Sequence, residues 1–260
     1  MSAESTAGDV LTVSEDGPVR VVRLNRPRAL NAINEALHTA LTDIWQELDS
    51  DREARAVVIT GEGRAFTAGG DMGLLQLMSE DLGIRNQVLD ESARIMSDMI
   101  SFRLPLVAAV NGPAVGLGCS LAMLSDTVFI EESAYLADPH VPVGLVAGDG
   151  GAITWPLATS LLSAKEYILT GDRIPAKEAH RLGLANHVVP DGEGLAYALA
   201  FAQRLAKLPP QAVQDTKKAI NVHLQRAAEG LLEMCVSAEH RSFDTPELKA
   251  NVARFTDGQA

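Results

Sequence analysis

Cysteine is nearly absent, since Cys119 and Cys235 are the only two in 260 residues. Two isolated thiols without CxxC or histidine at ligand spacing exclude a disulfide framework and a zinc ribbon, and they make the cytoplasm the expected compartment. An excess of basic charge is lacking too. With 22 Lys and Arg against 34 Asp and Glu, the net charge of −12 argues against nucleic acid or anionic lipid as the main partner. An anionic small ligand is compatible only where basic side chains gather locally. Long apolar runs are the third absence. The longest, LPLVAAVNGPAVGLGCSLAML, is broken by two prolines, three glycines and an asparagine, so it does not read as a membrane-spanning helix of about 20 apolar residues. The opening MSAESTAGDV has neither the basic nor the apolar stretch of a secretory leader and is expected to be a frayed polar tail.

What is present is a composition of 47% hydrophobic and 22% charged residues, that of a globular enzyme able to bury a sizeable core. Residues 19 to 24, VRVVRL, are β-branched between Gly17-Pro18 and Asn25-Arg26-Pro27 and predict a strand. Leu37, Leu41, Ile44, Trp45 and Leu48 recur at helical spacing over 34 to 49, with Asn34 as the expected N-cap. AVVIT (56 to 60) and AFTA (65 to 68) predict two more strands, followed by a helix from about Met72. The pattern returns at LVAAV (106 to 110), a glycine turn, a helix from near Cys119, and TVFIEE (127 to 132). Strands followed by a glycine turn and a helix define a repeated ββα architecture of the α/β class. From about residue 160 helical patterns dominate, broken by Pro209-Pro210. The expected division is a core over 1–195 and a C-terminal helical module over 196–260, packed on the core or on another subunit.

Two glycine turns carry the first chemical signal. AFTAGGDM ends a strand in two glycines before a helix, and VNGPAVGLGCSLA places Gly112, Gly116 and Gly118 in an equivalent position. Free backbone N–H groups beside a helix N-terminus favour an anion. Read alone, the first is equally a structural turn capped by Asp71, and three glycines between a strand and a helix, as in the second, are more often structural. Two convergent N–H groups are what an oxyanion requires, and each such donor is worth about 10² to 10³ in rate.

LNRPRALNAIN (24 to 34), VVITGEGRAFTAGGDM (57 to 72), AAVNGPAVGLGCSLAMLSD (108 to 126), GLVAGDGG (144 to 151) and LTGDRIPAKEAHRLGLANHVV (169 to 189) together resemble the enoyl-CoA hydratase/isomerase, or crotonase, superfamily. The resemblance implies a spiral of ββα units, a C-terminal helical module used in trimerisation, and a homotrimer or dimer of trimers. It implies an acyl-CoA substrate, no metal, and no cofactor beyond the coenzyme A of that substrate. Carried over by position, it implies Gly70 and Leu117 as the two oxyanion donors. A donor acting through its backbone does not need a particular side chain, so Leu117 suffices in place of a glycine. The backbone around Arg28, Ala29 and Leu30, and Ala68, Gly69, Asp71 and Met72 with Gly118, is expected to line the substrate groove. Arg28 is a candidate for a CoA phosphate, and Phe255 for the adenine of a neighbouring subunit.

Hydratases of this family use two glutamates, and the corresponding positions here hold Ser120 and His140. Serine alone is a poor base. The imidazole, with an ordinary pKa of about 6.5, can take or give a proton near neutrality. Asp149 in the turn GDGG lies one residue from a catalytic aspartate of some relatives, so an acid–base pair of His140 and Asp149 is expected. The remaining histidines, 38, 180, 187, 223 and 240, read as surface or interface residues. Hydration is the leading expectation, with isomerisation its rival. Hydrolysis, dehalogenation, decarboxylation and a non-catalytic acyl-CoA-binding role are the other possibilities.

Overall fold

The structure, a computed structural model, describes residues 10–256; of Phe255 and Thr256 only the backbone is described. The polar segment 1–9 lies outside the described residues. Strands β1 (Leu11–Asp16) and β2 (Val19–Leu24) form an antiparallel hairpin, paired from Leu11 with Leu24 to Asp16 with Val19. Gly17 turns it with φ +58°, in the left-handed region that glycine adopts freely. A short 3-10 turn (Pro27–Ala29) leads to α1 (Glu35–Ser50), which Asn34 caps by accepting from the Leu37 N–H at 3.1 Å, as its sequence predicts.

The chain then winds in successive turns, two of which, at 106–115 and 127–137, give one strand to each of two sheets. Strand β3 (Ala56–Gly61) is followed by α2 (Met72–Glu80) and α3 (Leu82–Ser101). Next come β4 (Leu106–Val110), β5 (Ala114–Val115) and α4 (Leu117–Met123). Then follow β6 (Thr127–Glu131), β7 (Tyr135–Ala137), and the helices α5 (His140–Val143), α6 (Gly151–Ala158) and α7 (Leu161–Thr170). Strand β8 (Ile174–Pro175), α8 (Ala176–Leu182) and β9 (His187–Val189) complete the α/β part. The large sheet runs β1-β2-β3-β4-β6-β9, parallel after the first hairpin, and the small one β5-β7-β8. Segment 65–68, expected as a strand, is not one: among the described residues its only ladder contact is a bridge between Thr67 and Ala114. Its N–H and C=O groups are divided between two neighbouring segments, 30–31 and 113–115, so no regular pairing forms.

Alternation along the buried strands sorts their side chains onto two faces. Val57 and Ile59 join the main core with Leu24, Phe66, Ala108 and Val110. Ala56, Val58, Val107 and Ala109 face the other way, onto Ala198 and Ala202 of α9 (Gly194–Ala206). Three further helices follow, α10 (Pro210–Ala228), α11 (Leu231–Ser242) and α12 (Pro246–Thr256). A third cluster joins α2, α3, α11 and α12 through Leu74, Met78, Val88, Leu145, Phe243 and Leu248. Among the described residues no helix is long and apolar enough to cross a membrane.

Candidate active site

Segment 68–71 is held on both sides. Ala68 N–H donates to Leu30 C=O at 2.9 Å, Ile33 N–H to Gly69 C=O at 2.8 Å, and Asp71 N–H to Ile33 C=O at 3.0 Å. A parallel bridge of this kind engages the residues on either side of Gly70, so the Gly70 N–H points away from Ile33. A Cβ on Gly70 would meet nothing within 4 Å. Its neighbour Gly69 turns with φ +92° against the Val115 carbonyl, where a side chain would be strained. Asp71 then caps α2, accepting from Gly73 N–H at 3.0 Å, while its other oxygen lies 3.1 Å from Arg26.

The second turn delivers the start of α4. Gly116, with φ +55°, donates its N–H to Ala137 C=O at 3.0 Å, and the helix begins at Leu117, two residues before the expected Cys119. The first intrahelical bond to close is Ser120 N–H to Gly116 C=O at 3.1 Å, which leaves the Leu117 N–H without a helical acceptor. Gly118 packs against Thr67: a Cβ there would sit 2.0 Å from Thr67 Cγ2. The absence of a side chain therefore lets the two turns approach.

Between them lies a cavity of about 180 Å³, lined by both turns, by apolar residues of α2 and α3, and by five titratable side chains: His38, Asp71, His140, Asp149 and Glu239. A larger open groove of about 830 Å³ runs between α3 and α11, but its polar lining residues are surface groups such as Asn86, Asp90 and Arg241. The smaller cavity is where buried polar groups converge.

His140 sits at the start of α5, between two buried carboxylates. Its Nδ1 is in close hydrogen-bond contact with Asp138 Oδ1, and its Nε2 lies 3.4 Å from Asp149 Oδ2. Ser120 Oγ–H donates to Asp149 Oδ1 at 3.2 Å. The result is one chain, Ser120–Asp149–His140–Asp138. Burial alone would favour the neutral imidazole, but the charges of Asp149 and Asp138 and their hydrogen bonds outweigh it and raise the His140 pKa well above its ordinary value. The ligand atoms of Asp138, His140 and Asp149 lie within 4.8 Å of one another, close enough to share a cation. Each His140 nitrogen is already engaged by a carboxylate, so the three residues satisfy one another. Burial, reinforced by Asp138 and Asp149, pushes the Cys119 thiol up, which removes it as a thiolate nucleophile.

Of the residues expected from the sequence, Ala68, Gly69, Gly70, Asp71, Met72, Leu117, His140 and Asp149 line the cavity together. Ser120 and Gly118 stand behind it, one on Asp149 and the other on Thr67. Arg28, Ala29 and Leu30 are outside it, in the 3-10 turn and its left-handed cap, with Arg28 exposed. The side chain of Phe255 lies outside the described residues. One expectation is overturned: His38 is not a surface residue but is 3% exposed, with Nδ1 2.8 Å from Glu91 and Nε2 3.1 Å from Ser92. It lies on the same helical stripe as Leu41 and Trp45, a signal present in the sequence. Asp138 and Glu239 were not anticipated. Asp138 stands two residues from His140 in sequence, whereas nothing near Glu239 points to the cavity.

Two glycine turns that both line a small cavity beside a buried carboxylate–imidazole chain make this the candidate active site of an α/β fold. The family model for enoyl-CoA hydratase/isomerase matches residues 14–259. The crystal structure of an enoyl-CoA hydratase/isomerase from Mycobacterium paratuberculosis superposes with a TM-score of 0.93 at 52% identity, covering 95% of this chain and 98% of that one. A Mycobacterium bovis protein named probable enoyl-CoA hydratase echA8 is 32% identical over 256 residues, 97% of this chain and 96% of its own length. The 2,3-dehydroadipyl-CoA hydratase of Escherichia coli is 34% identical, covering 90% of this chain and 88% of its own. The chain belongs to the enoyl-CoA hydratase/isomerase family and is an enzyme with its crotonase fold.

Proposed function

We propose that the protein hydrates a 2-enoyl-CoA thioester, with Gly70 and Leu117 N–H groups holding the thioester oxygen and Asp149 acting as base. The observation that carries this reading is the His140 imidazole fixed between Asp138 and Asp149 in the cavity those two N–H groups border. His140, cationic between two carboxylates, is the orienting partner of Asp149 and not itself the base; Ser120 holds the other Asp149 oxygen. Asp149 takes a proton from water as the water oxygen bonds to Cβ. The double-bond electrons move onto the thioester oxygen, and the carbonyl re-forms when Cα takes a proton. Coenzyme A enters as part of the substrate, and no separate cofactor is invoked. Arg28, exposed beside the segment that borders the cavity, is the cation for a CoA phosphate. Assembly as a homotrimer or dimer of trimers in the cytoplasm is supported by exposed Ile220 and Met234 on the C-terminal helices and by two free cysteines.

Turnover of crotonyl-CoA and of a 3-enoyl-CoA tests the reading. Wild type is expected to convert crotonyl-CoA to the 3-hydroxy thioester, and His140→Ala and Asp149→Ala to lose about 10²- to 10⁴-fold in kcat. Conversion of the 3-enoyl thioester alone would replace hydration by isomerisation. Tight binding of both with no turnover would overturn each.

A further inference from the structure

Adding water across a double bond needs an acid as well as a base, and the chain of Ser120, Asp149, His140 and Asp138 supplies only the base side. The geometry points to Glu239 of α11 as the second acid–base residue of the cavity, an un-ionised carboxylic acid that gives its proton to Cα of the acyl group. The inference rests on the hydration reading and adds a residue to it.

Glu239 is 7% exposed, and its carboxyl lines the cavity with His140 and Asp149. It lies directly over the backbone that carries Asp149: a Cβ on Gly148 would come within 2.2 Å of Glu239 Oε2. Gly148 thus leaves the space that the carboxyl fills. Unlike Asp138 and Asp149, which are hydrogen-bonded, the Glu239 carboxyl makes no hydrogen bond or ion pair among the described residues. A buried carboxylate without a partner is strongly disfavoured, whereas the protonated acid is tolerated. Burial raises its pKa, His140 opposes the rise, Asp149 and Asp138 add to it, and the balance is pushed up to about 8. Cys235, one turn earlier on α11, is a further titratable group beside it. Packing does not account for this side chain. An apolar residue of similar size would fill the space without the penalty of burying a carboxyl, so the acid is explained only by what it does in the cavity.

The protons balance without a co-reactant. Asp149 gains one from water as the C–O bond forms; the Glu239 O–H bond breaks, its proton forms the C–H bond at Cα, and the enolate electrons return to the carbonyl. Transfer of the proton from Asp149 to the Glu239 carboxylate, through water after product leaves, restores the starting state.

The experiment pairs kinetics with infrared spectroscopy on the full-length protein. Glu239→Gln is expected to lower kcat for crotonyl-CoA about 10²- to 10⁴-fold with KM little changed, and to remove the fall in activity expected of wild type as pH rises through about 8. Glu239→Asp, which keeps a carboxyl, should recover part of the rate and the alkaline limb. Wild type minus Glu239→Gln difference spectra at pH 7 should contain the carbonyl stretch of an un-ionised acid, displaced when butyryl-CoA binds. A Gln variant with wild-type kcat and an unchanged pH profile, or the absence of that band, overturns the role of Glu239. If wild type fails to hydrate crotonyl-CoA while butyryl-CoA still displaces the band, the hydration reading fails and the acid's place against the acyl group stands.

Discussion

At the scale of single residues, the proposed chemistry depends on unequal treatment of neighbouring titratable groups. Asp138 and Asp149 are compensated by His140, while Glu239 has no hydrogen-bond partner among the described residues. Both raised groups carry the same sign of linkage. Between its ordinary value near 4.5 and about 8, Glu239 holds a proton in the fold that the unfolded chain has lost, so stability falls as pH rises through that window. His140 acts likewise: its contribution is fully present below about 6.5 and is lost as pH rises through its raised value in the fold. Glu239→Gln should therefore melt above wild type at pH 8, by on the order of a few kcal/mol, with the advantage shrinking towards pH 4.5. Thermal unfolding across that range measures it, and a difference independent of pH would count against a neutral buried acid. His140 and Asp149 are legible in the sequence because they flank one loop with a recognisable pattern. Asp138 is in the same loop and differs from an ordinary turn aspartate only through burial, which its position after β7 creates. Glu239 has no local signal, because what makes it part of the site is the approach of α11 to Gly148.

At the scale of elements, the two glycine turns are positioned by contacts a side chain would prevent. Gly118→Ala would drive a methyl into Thr67 and displace the start of α4, and with it the Leu117 N–H. Overpacking of this kind costs about 1–3 kcal/mol, and the kinetic signature should be a larger loss in kcat than gain in KM. Asp71→Ala removes the cap of α2 and the partner of Arg26, with an expected loss of about 1 kcal/mol in chemical denaturation. Helices α1 and α2 begin where Asn34 and Asp71 predict, because a cap is a local interaction written in adjacent residues. Segment 65–68 reads as a strand by composition but is not one, because its backbone partners come from two segments far apart in sequence, 30–31 and 113–115, which no local pattern encodes.

At the scale of the whole molecule, the C-terminal helices both complete the core and reach the site. Ala198 and Ala202 of α9 cover one face of the large sheet. Lys217 of α10, buried, donates to Leu104 C=O at 2.7 Å and lies 2.8 Å from Asp126, fastening that helix beside β4. Lys217→Ala leaves a buried carbonyl without its donor and should destabilise by roughly 2–4 kcal/mol in denaturant unfolding. A chain ending before residue 194 would expose the sheet face and lose Glu239, and is expected to be insoluble as well as inactive. The α/β class and the helical C-terminal third follow from periodicity and glycine turns in the sequence. The side on which those helices close over the cavity is decided by packing between distant segments.

The central claim is that an acyl thioester binds with its carbonyl oxygen on the Gly70 and Leu117 N–H groups and its reacting carbons facing Asp149. A crystal structure with butyryl-CoA, which lacks the double bond and does not react, tests it directly. The account predicts the thioester oxygen about 2.7–3.1 Å from both backbone nitrogens, with Cα and Cβ between Asp149 and Glu239. A thioester bound elsewhere, or an Asp149–His140 pair turned away from the acyl carbons, would contradict it.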